Sequence, residues 1–461
     1  LQAGNLKRRD FIKAVAGGVA AGTLAGGNPL MAEPFDAQNQ KKKKTVGIQV
    51  GAVSFVDEGV EQVLDVFQER AHVNTLFLAV FTYGRGIAGR QVPGHPLPDH
   101  GKQEYDTNQF HGGNYATPHP RFYKNTPIQV EKTKAPDFGN LDILEAVLPA
   151  AKQRGMRVIC WMEDVWRGDV PGVKEIQERY LEGQNAPTLC FNHPGHRAFL
   201  EGLVEDYATS YDVDGIMWGC ERQGAFSNAL GARHGGIGQD PMKVTCFCDF
   251  CQAKAKKLGI NFDRVKVAFE ELAKFVRAAR AAQRPVDGYY VTLWRLLLRY
   301  PELLIWENFW HDSLRETYQA IYRKVKSVKR DLLVGWHIWH NNSFSPLYRA
   351  EQDLSELTKY SDFLKMVMYH NCGGPRIASY VDSVGQTIFG DVPKDELLRF
   401  HYRVLNYEEA PYGKVQQSGL KNDYVYREAK RAVEGAKGSQ TLILPGIDID
   451  IPTSQDESRS T

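Results

Sequence analysis

Gly215-Ile216-Met217-Trp218-Gly219-Cys220-Glu221 is the stretch on which the fold turns. Side chains alternate across a strand, so Gly215, Met217, Gly219 and Glu221 share one face, and Ile216 and Trp218 share the other. With the glycine-bearing set turned into a barrel and the bulky pair turned toward helices, Glu221 stands at the C-terminal mouth, where barrel enzymes place their chemistry.

The same kind of run recurs on either side. From Thr45 onward, short β-branched segments alternate with amphipathic helical ones, the pattern of a parallel sheet covered by helices. Strands are predicted at 45–50, 75–82, 156–162, 214–220, 332–339, 362–369 and 441–448. Helices are predicted at 57–71, 140–154, 194–210, 251–282, 285–299, 309–329 and 423–436, with Asn140 as an N-cap and Gly155 as a C-terminal stop. The fold class is therefore α/β, a (β/α)8 TIM barrel. Seven strands are counted where eight are needed, and only a polar tail follows the seventh, so the expectation is a barrel truncated before strand 8. Long inserts at 84–139 and 222–331 follow the second and fourth strands and so fall on the catalytic face.

Ahead of the barrel, Lys7-Arg8-Arg9-Asp10-Phe11-Ile12-Lys13 precedes an Ala/Gly-rich run from Ala14 to Gly27. The paired arginines, the following aromatic and the lysine before the apolar stretch resemble a twin-arginine export signal. Residues 1–32 are read as that signal and 33–44, ending in four lysines, as a polar linker to the domain at 45–461. The apolar run is too short and glycine-rich to span a bilayer. The expectation is a periplasmic or secreted protein with the twin-arginine translocase as its export partner. A formal charge of +2 over 461 residues excludes an electrostatic nucleic-acid binder.

Carboxylates and aromatics gather at the predicted strand ends. Besides Glu221 there are Glu163 and Asp164 after the third strand, and Asp448 and Asp450 at the seventh. His337 and His340 follow the fifth, Tyr369 and His370 the sixth. Two carboxylates flanking a cleft are what glycoside hydrolysis requires, one to protonate the leaving oxygen and one to attack or to activate water. Glu221 is the candidate acid. Asp448, expected nearer solvent beside Asp450, is the candidate nucleophile or base. Trp161, Trp166, Trp218, Trp336 and Trp339 also fall near strand ends, where indole faces stack on sugars. Trp161, Trp218, Trp339, Glu163, Asp164, His337, His340, Tyr369, His370, Asp450 and His119, from the 84–139 insert, are the candidate substrate contacts.

Cys246-Phe247-Cys248-Asp249-Phe250-Cys251 places three thiols within six residues, a spacing that converges on one metal ion. A Cys-Phe-Asn-His-Pro-Gly-His-Arg segment at 190–197, a strand ending Trp218-x-x-Glu221, and then this cluster together resemble the family 42 β-galactosidases. The span 45–450 is also similar to a group of bacterial glycosyl hydrolase barrels sharing the Gly-Gly-x-Tyr-x-x-Pro-His-Pro stretch at 112–120. The resemblance implies a structural zinc held by Cys190, Cys246, Cys248 and Cys251, with Glu221 as acid/base on a carbohydrate substrate. Two positions depart from the family pattern. Cys220 stands where an asparagine precedes the acid/base, and the seventh strand offers aspartates where the family has its nucleophilic glutamate. The shorter side chain withdraws the carboxylate by about 1.5 Å, which fits inversion in place of retention and fits equally a lost or changed activity.

Two other functions fit the same residues. One is a catalytically silent carbohydrate-binding barrel, favoured if Asp448 is remote from Glu221. The other is a metal-dependent sugar isomerase or lyase, favoured if Glu163, Asp164, His337 and His370 converge on one ion.

Overall fold

The structure, a computed structural model, describes residues 44–85 and 110–448 except 137 and 165. The expected export signal, nearly all of the linker and Asp450 lie outside the described residues.

Seven parallel strands form the body of an eight-stranded sheet: β1 (Gly47–Val50), β2 (Thr75–Arg85), β3 (Arg157–Glu163), β4 (Gly215–Gly219), β5 (Leu333–Ile338), β6 (Phe363–Val367) and β7 (Leu442–Gly446). They are neighbours in chain order, each paired in parallel with the next. All seven fall within the predicted runs or within three residues of their ends. Among the described residues no strand pairs with the outer edge of β1 or β7, so the sheet is a curled half-barrel. The helices used below are α1 (Ile143–Gln153), α2 (Pro194–Ser210), α3 (Ala225–Ala229), α4 (Asp249–Lys257), α5 (Glu302–Val328), α6 (Pro346–Glu351) and α7 (His370–Val384). No helix among the described residues is long and apolar enough to cross a membrane.

The alternation expected from β4 is what the sheet displays. Met217 joins Phe77, Ile159 and Phe363 in a small interior cluster, flanked by Trp161, Leu333 and Leu444. Ile216 and Trp218 belong to the larger core under the helices. Phe77 on β2 and Phe363 on β6 meet edge-on with ring centroids 5.9 Å apart. In a flat sheet, four strand spacings would separate them by about 19 Å. Curling closes that distance, and glycines make room for it: a Cβ on Gly335 would lie 2.3 Å from the Phe363 ring, and one on Gly47 2.5 Å from Phe77.

Several elements depart from expectation for local reasons. The helix predicted at 57–71 is two helices, Ala52–Glu58 and Val60–Ala71, divided at Gly59 with φ +87°. The one predicted at 251–282 breaks near Gly259, between α4 and a helix at Phe262–Arg280. The cap of α1 is Asp142 and not Asn140, its carboxylate accepting from the N–H groups of Leu144 and Glu145. The 84–139 insert carries a strand, Phe110–Asn114, antiparallel to the end of β2. A second hairpin, Gln177–Arg179 with Asn185–Leu189, lies between β3 and α2.

The interior packing predicts that Gly335→Ala, harmless to backbone conformation, will lower stability by about 1–3 kcal/mol through overpacking against Phe363. Gly335→Ala/Phe363→Leu should recover part of that loss in a urea melt.

Candidate active site at the mouth of the barrel

Arg222 fixes the ends of β3 and β4. Its Nε donates to Asp164 Oδ2 at 2.7 Å, one terminal nitrogen to Glu178 Oε2 at 2.8 Å, and the other to the Leu189 carbonyl at 3.1 Å. The guanidinium lies over the Phe191 ring, 4.2 Å from its centre. Burial opposes this charge, but Asp164 and Glu178 outweigh it and hold the guanidinium above its usual pKa. Trp166 donates its indole N–H to the other oxygen of Asp164 at 3.2 Å. Asp164, expected as a substrate contact, is instead a buried anchor for Arg222.

With Arg222 drawn under the helices, its neighbour Glu221 takes the opposite side. Its carboxylate is about one-third exposed, and Oε1 lies 3.3 Å from His337 Nε2. His337 is buried on β5 and stacks against Trp161 of β3, with the ring planes 14° apart. Gly219 faces the His337 side chain closely enough that a Cβ would sit 3.1 Å from the His337 Cβ. Glu163 accepts from the Thr82 hydroxyl at 2.5 Å. It pairs in register with Gly219, two residues before Glu221. Glu221 lies two residues past the end of β4, and its contact with His337, the register partner of Gly219, places it on the same face as Glu163, with backbone positions on the order of 8 Å apart from strand spacing and rise. Opposite them, Lys365 Nζ donates to the Tyr369 hydroxyl at 2.6 Å, which donates to Gln49 Oε1 at 3.0 Å. That chain links the end of β6 to β1.

Histidines and one arginine complete the rim. His340 lies 2.8 Å through Nδ1 from Arg376 and 3.0 Å through Nε2 from the Tyr424 hydroxyl. His234 packs on Trp339, with centroids 5.5 Å apart. Burial, then Arg376, holds His340 well below the usual imidazole pKa and His234 at about 3, while Glu221 pulls both upward. Both imidazoles are neutral near pH 7, and Glu221, Arg376, Lys365 and the two rings share one electrostatic field. His234, Arg376 and Lys365 were not singled out in the sequence. His234 and Arg376 lie well past their strand ends, and Lys365 lies mid-strand in an apolar run, where only the interior parity of β6 could have marked it.

Other expected residues lie elsewhere or serve another purpose. Asp448 is not near solvent. Its side chain is fully buried, accepting from the N–H groups of Asn371 at 3.3 Å and Cys372 at 3.0 Å, and facing His370 Nδ1 at 3.0 Å. Burial alone would raise its pKa, but the His370 contact and the two backbone N–H groups hold it below the usual carboxylate range. Asp448 thus pins the first turn of α7 while ionised, and His370 is its partner. Trp218 and Trp336 are buried against Tyr318 of α5, beneath the helices and away from any sugar. Trp166 packs on Phe81 and Phe199. His119 is held 2.7 Å from Asp206 of α2 and contacts Phe122 and Tyr211, none of which belongs to the mouth. Of the five strand-end tryptophans, Trp161 borders the interior cluster and Trp339 packs on His234 at the rim. Glu163, Asp164, His337 and His370 do not gather within metal-ligand distance, which removes the basis for a mouth metal built from them.

The four predicted cysteines do come together. Cys190, before α2, lies with its sulfur 3.5 Å from Cys248 and 3.6 Å from Cys251, and the sulfurs of all four lie within 4.8 Å of one another. Zinc–sulfur bonds of about 2.3 Å set the sulfurs of a tetrahedral site about 3.8 Å apart, so the cluster fits that ion. All four thiols are buried, and the Asn192 side-chain amide donates to Cys251 at 3.3 Å. Hydrogen bonds from the other three thiols hold Cys248 well below the usual thiol range.

No family model matches the chain, and no curated protein matches it. Among solved structures it is similar to a β-galactosidase from the Antarctic haloarchaeon Halorubrum lacusprofundi, at 13% identity over 88% of this chain and 53% of that one, with a TM-score of 0.40. It is also similar to the PgaB (BpsB) glycoside hydrolase domain from Bordetella bronchiseptica, at 14% identity over 87% and 93%, TM-score 0.40. A GH20 exo β-N-acetylglucosaminidase from Vibrio harveyi matches at 11% identity over 87% and 59%, TM-score 0.32. The chain spans about half the length of the first. Their names differ, and the likeness does not single out family 42.

The Asp448 contacts predict that Asp448→Asn will cost about 1–3 kcal/mol at pH 7, since a buried acceptor for two N–H groups becomes in part a donor. A carboxyl depressed in the fold stabilises above its unfolded pKa of about 3.9 and loses that contribution as pH falls through the folded value. The stability gap between wild type and variant, measured by denaturant melts, should therefore narrow below about pH 4.

Proposed function

We propose that this chain is a glycoside hydrolase acting on an oligosaccharide or glycan, with Glu221 as general acid and Glu163 as its partner carboxylate. The observation that carries the proposal is their placement on one interior face of adjacent strands at the barrel mouth, beside Trp161 and His337. Glu221 protonates the leaving oxygen, and its contact with His337 keeps the carboxyl aimed inward. Glu163, oriented by Thr82, attacks the anomeric carbon or activates water from the other side of the bond. Trp161 offers a ring face to the sugar, and Arg376 and Lys365 supply donors for its hydroxyls. Asp448, fully committed to α7, holds the segment that carries Tyr369 and does not touch substrate.

Zinc belongs to the same proposal as a structural element. Bound by Cys190, Cys246, Cys248 and Cys251, it would tie the hairpin before α2 to the start of α4, and no chemistry at the mouth passes through it.

Loss of an acid damages substrates with poor leaving groups far more than activated aryl glycosides. Glu221→Gln should therefore keep measurable aryl glycoside turnover while losing oligosaccharide cleavage. Glu163→Gln should lose both, and Asp448→Asn, assayed below its melting temperature, should retain both. Wild-type oligosaccharide cleavage by Glu221→Gln would refute the acid assignment, and loss of both activities in folded Asp448→Asn would return the second carboxylate to Asp448.

For the metal, freshly purified reduced protein should carry one zinc in the cysteine cluster. Cys248→Ser should lose it and be less stable by several kcal/mol, on the order of structural zinc coupling to folding. Zinc-free protein of unchanged stability would rule the assignment out.

A further inference from the structure

A second group of metal-ligating side chains lies behind the segment that follows Glu221, distinct from both the mouth and the cysteines. Glu307 and His311 are spaced i, i+4 on α5, which puts them on one face of the helix. Glu351, the last residue of α6, meets them there. Their ligand atoms lie within 4.8 Å of one another, with His311 Nε2 2.5 Å from Glu351 Oε2 and 4.0 Å from Glu307 Oε1.

The surroundings give these groups less than their chemistry requires. His311 is 2% exposed, and its Nε2 makes no directed hydrogen bond, nor does Glu351 Oε2 despite their proximity. Glu307 is 4% exposed, and neither carboxylate pairs with a lysine or arginine among the described residues. Buried Glu307 and half-buried Glu351 meet an undirected imidazole nitrogen around one point, with Arg315 acting on Glu351 only through space, and such a group is neutralised by a bound cation or by protons. Both carboxylates are already oriented: Glu307 Oε2 accepts from the Phe226 N–H at 2.7 Å and Oε1 from the Ser227 N–H at 3.2 Å, and Glu351 Oε1 accepts from the Ser227 hydroxyl at 3.5 Å. Gly224 closes over the same carboxylate, since a Cβ there would lie 2.2 Å from Oε2. A small crevice bordered by His311, Arg315, Glu351, Asp353 and Glu356 opens beside the group.

We propose that Glu307, His311 and Glu351 bind a divalent transition-metal cation. One imidazole and two carboxylates suit manganese, iron(II) or zinc, at bond lengths near 2.1 Å, with water from the crevice filling the remaining positions. Bringing the three ligand atoms around one ion requires His311 and Glu351, now 2.5 Å apart, to part by about 0.5–0.9 Å, within reach of side-chain rotation. The ion would join α5 to α6 and, through Glu307, to the start of α3, four residues beyond Glu221. It holds the loop behind the acid and takes no part in its chemistry.

Manganese separates this site from the cysteine cluster, because it favours oxygen and nitrogen over thiolate. Full-length protein dialysed against chelator is titrated with MnCl2, free ion is followed by its electron paramagnetic resonance signal, and melting temperature is recorded alongside. One bound manganese per chain and a raised melting temperature are expected, with at least about tenfold weaker binding in Glu351→Gln and in His311→Gln. If His311→Gln fails to melt cooperatively, Glu351→Gln alone decides, since its side chain borders the crevice and changes only in charge. Absence of manganese uptake by the wild type, or undiminished affinity in Glu351→Gln, would overturn the proposal.

Discussion

A single buried guanidinium governs the functional end of this fold. Arg222 follows Glu221 directly, and along an extended chain two neighbours cannot face the same way. By satisfying Asp164, Glu178 and the Leu189 carbonyl at once, Arg222 is committed to the helix side of the sheet. Glu221 is thereby committed to the mouth. The same contacts join the end of β3 to the hairpin before α2, the segment that delivers Cys190. Removing one partner of such a buried cluster leaves an uncompensated charge, so the arrangement is all or nothing.

Beneath the mouth, size complementarity across the interior curls the described sheet. Phe77 and Phe363 fill the centre because Gly47 and Gly335 yield their side-chain space. Above them the interior turns polar within four residues along β3 and β4, from Ile159 through Trp161 to Glu163 and from Met217 through Gly219 to Glu221. A floor that is dry and a rim that is charged give the mouth its direction. Tyr369 and Gln49 then tie β6 to β1 over the open side.

Much of this was legible in the sequence because strand periodicity is strict. Gly215, Met217, Gly219 and Glu221 alternate with Ile216 and Trp218, and that alternation assigns interior and exterior whatever the tertiary details. The four cysteines were legible because thiols at this spacing have few other uses. Alternation fails beyond the last ladder hydrogen bond, and there the errors gather. Asp448 has the parity of a mouth residue, yet backbone N–H groups of α7 capture it. Asp164 is one residue past its strand and belongs to Arg222. Trp218 and Trp336 were expected near sugar because they end strands, although their parity already placed them under the helices. Glu307, His311 and Glu351 gave no local signal, since an acid and a histidine one turn apart on a helix become a site only when α6 brings the third group.

The central claim is that Glu221 and Glu163, and not Asp448, are the carboxylates that face a bound sugar. The most direct measurement is to treat the protein with a panel of epoxyalkyl glycosides, which esterify carboxylates lying against a bound sugar, and to locate the ester by peptide mass spectrometry. An ester is expected on the peptide bearing Glu163 or Glu221 and none on Asp448. An ester found on Asp448 would contradict it.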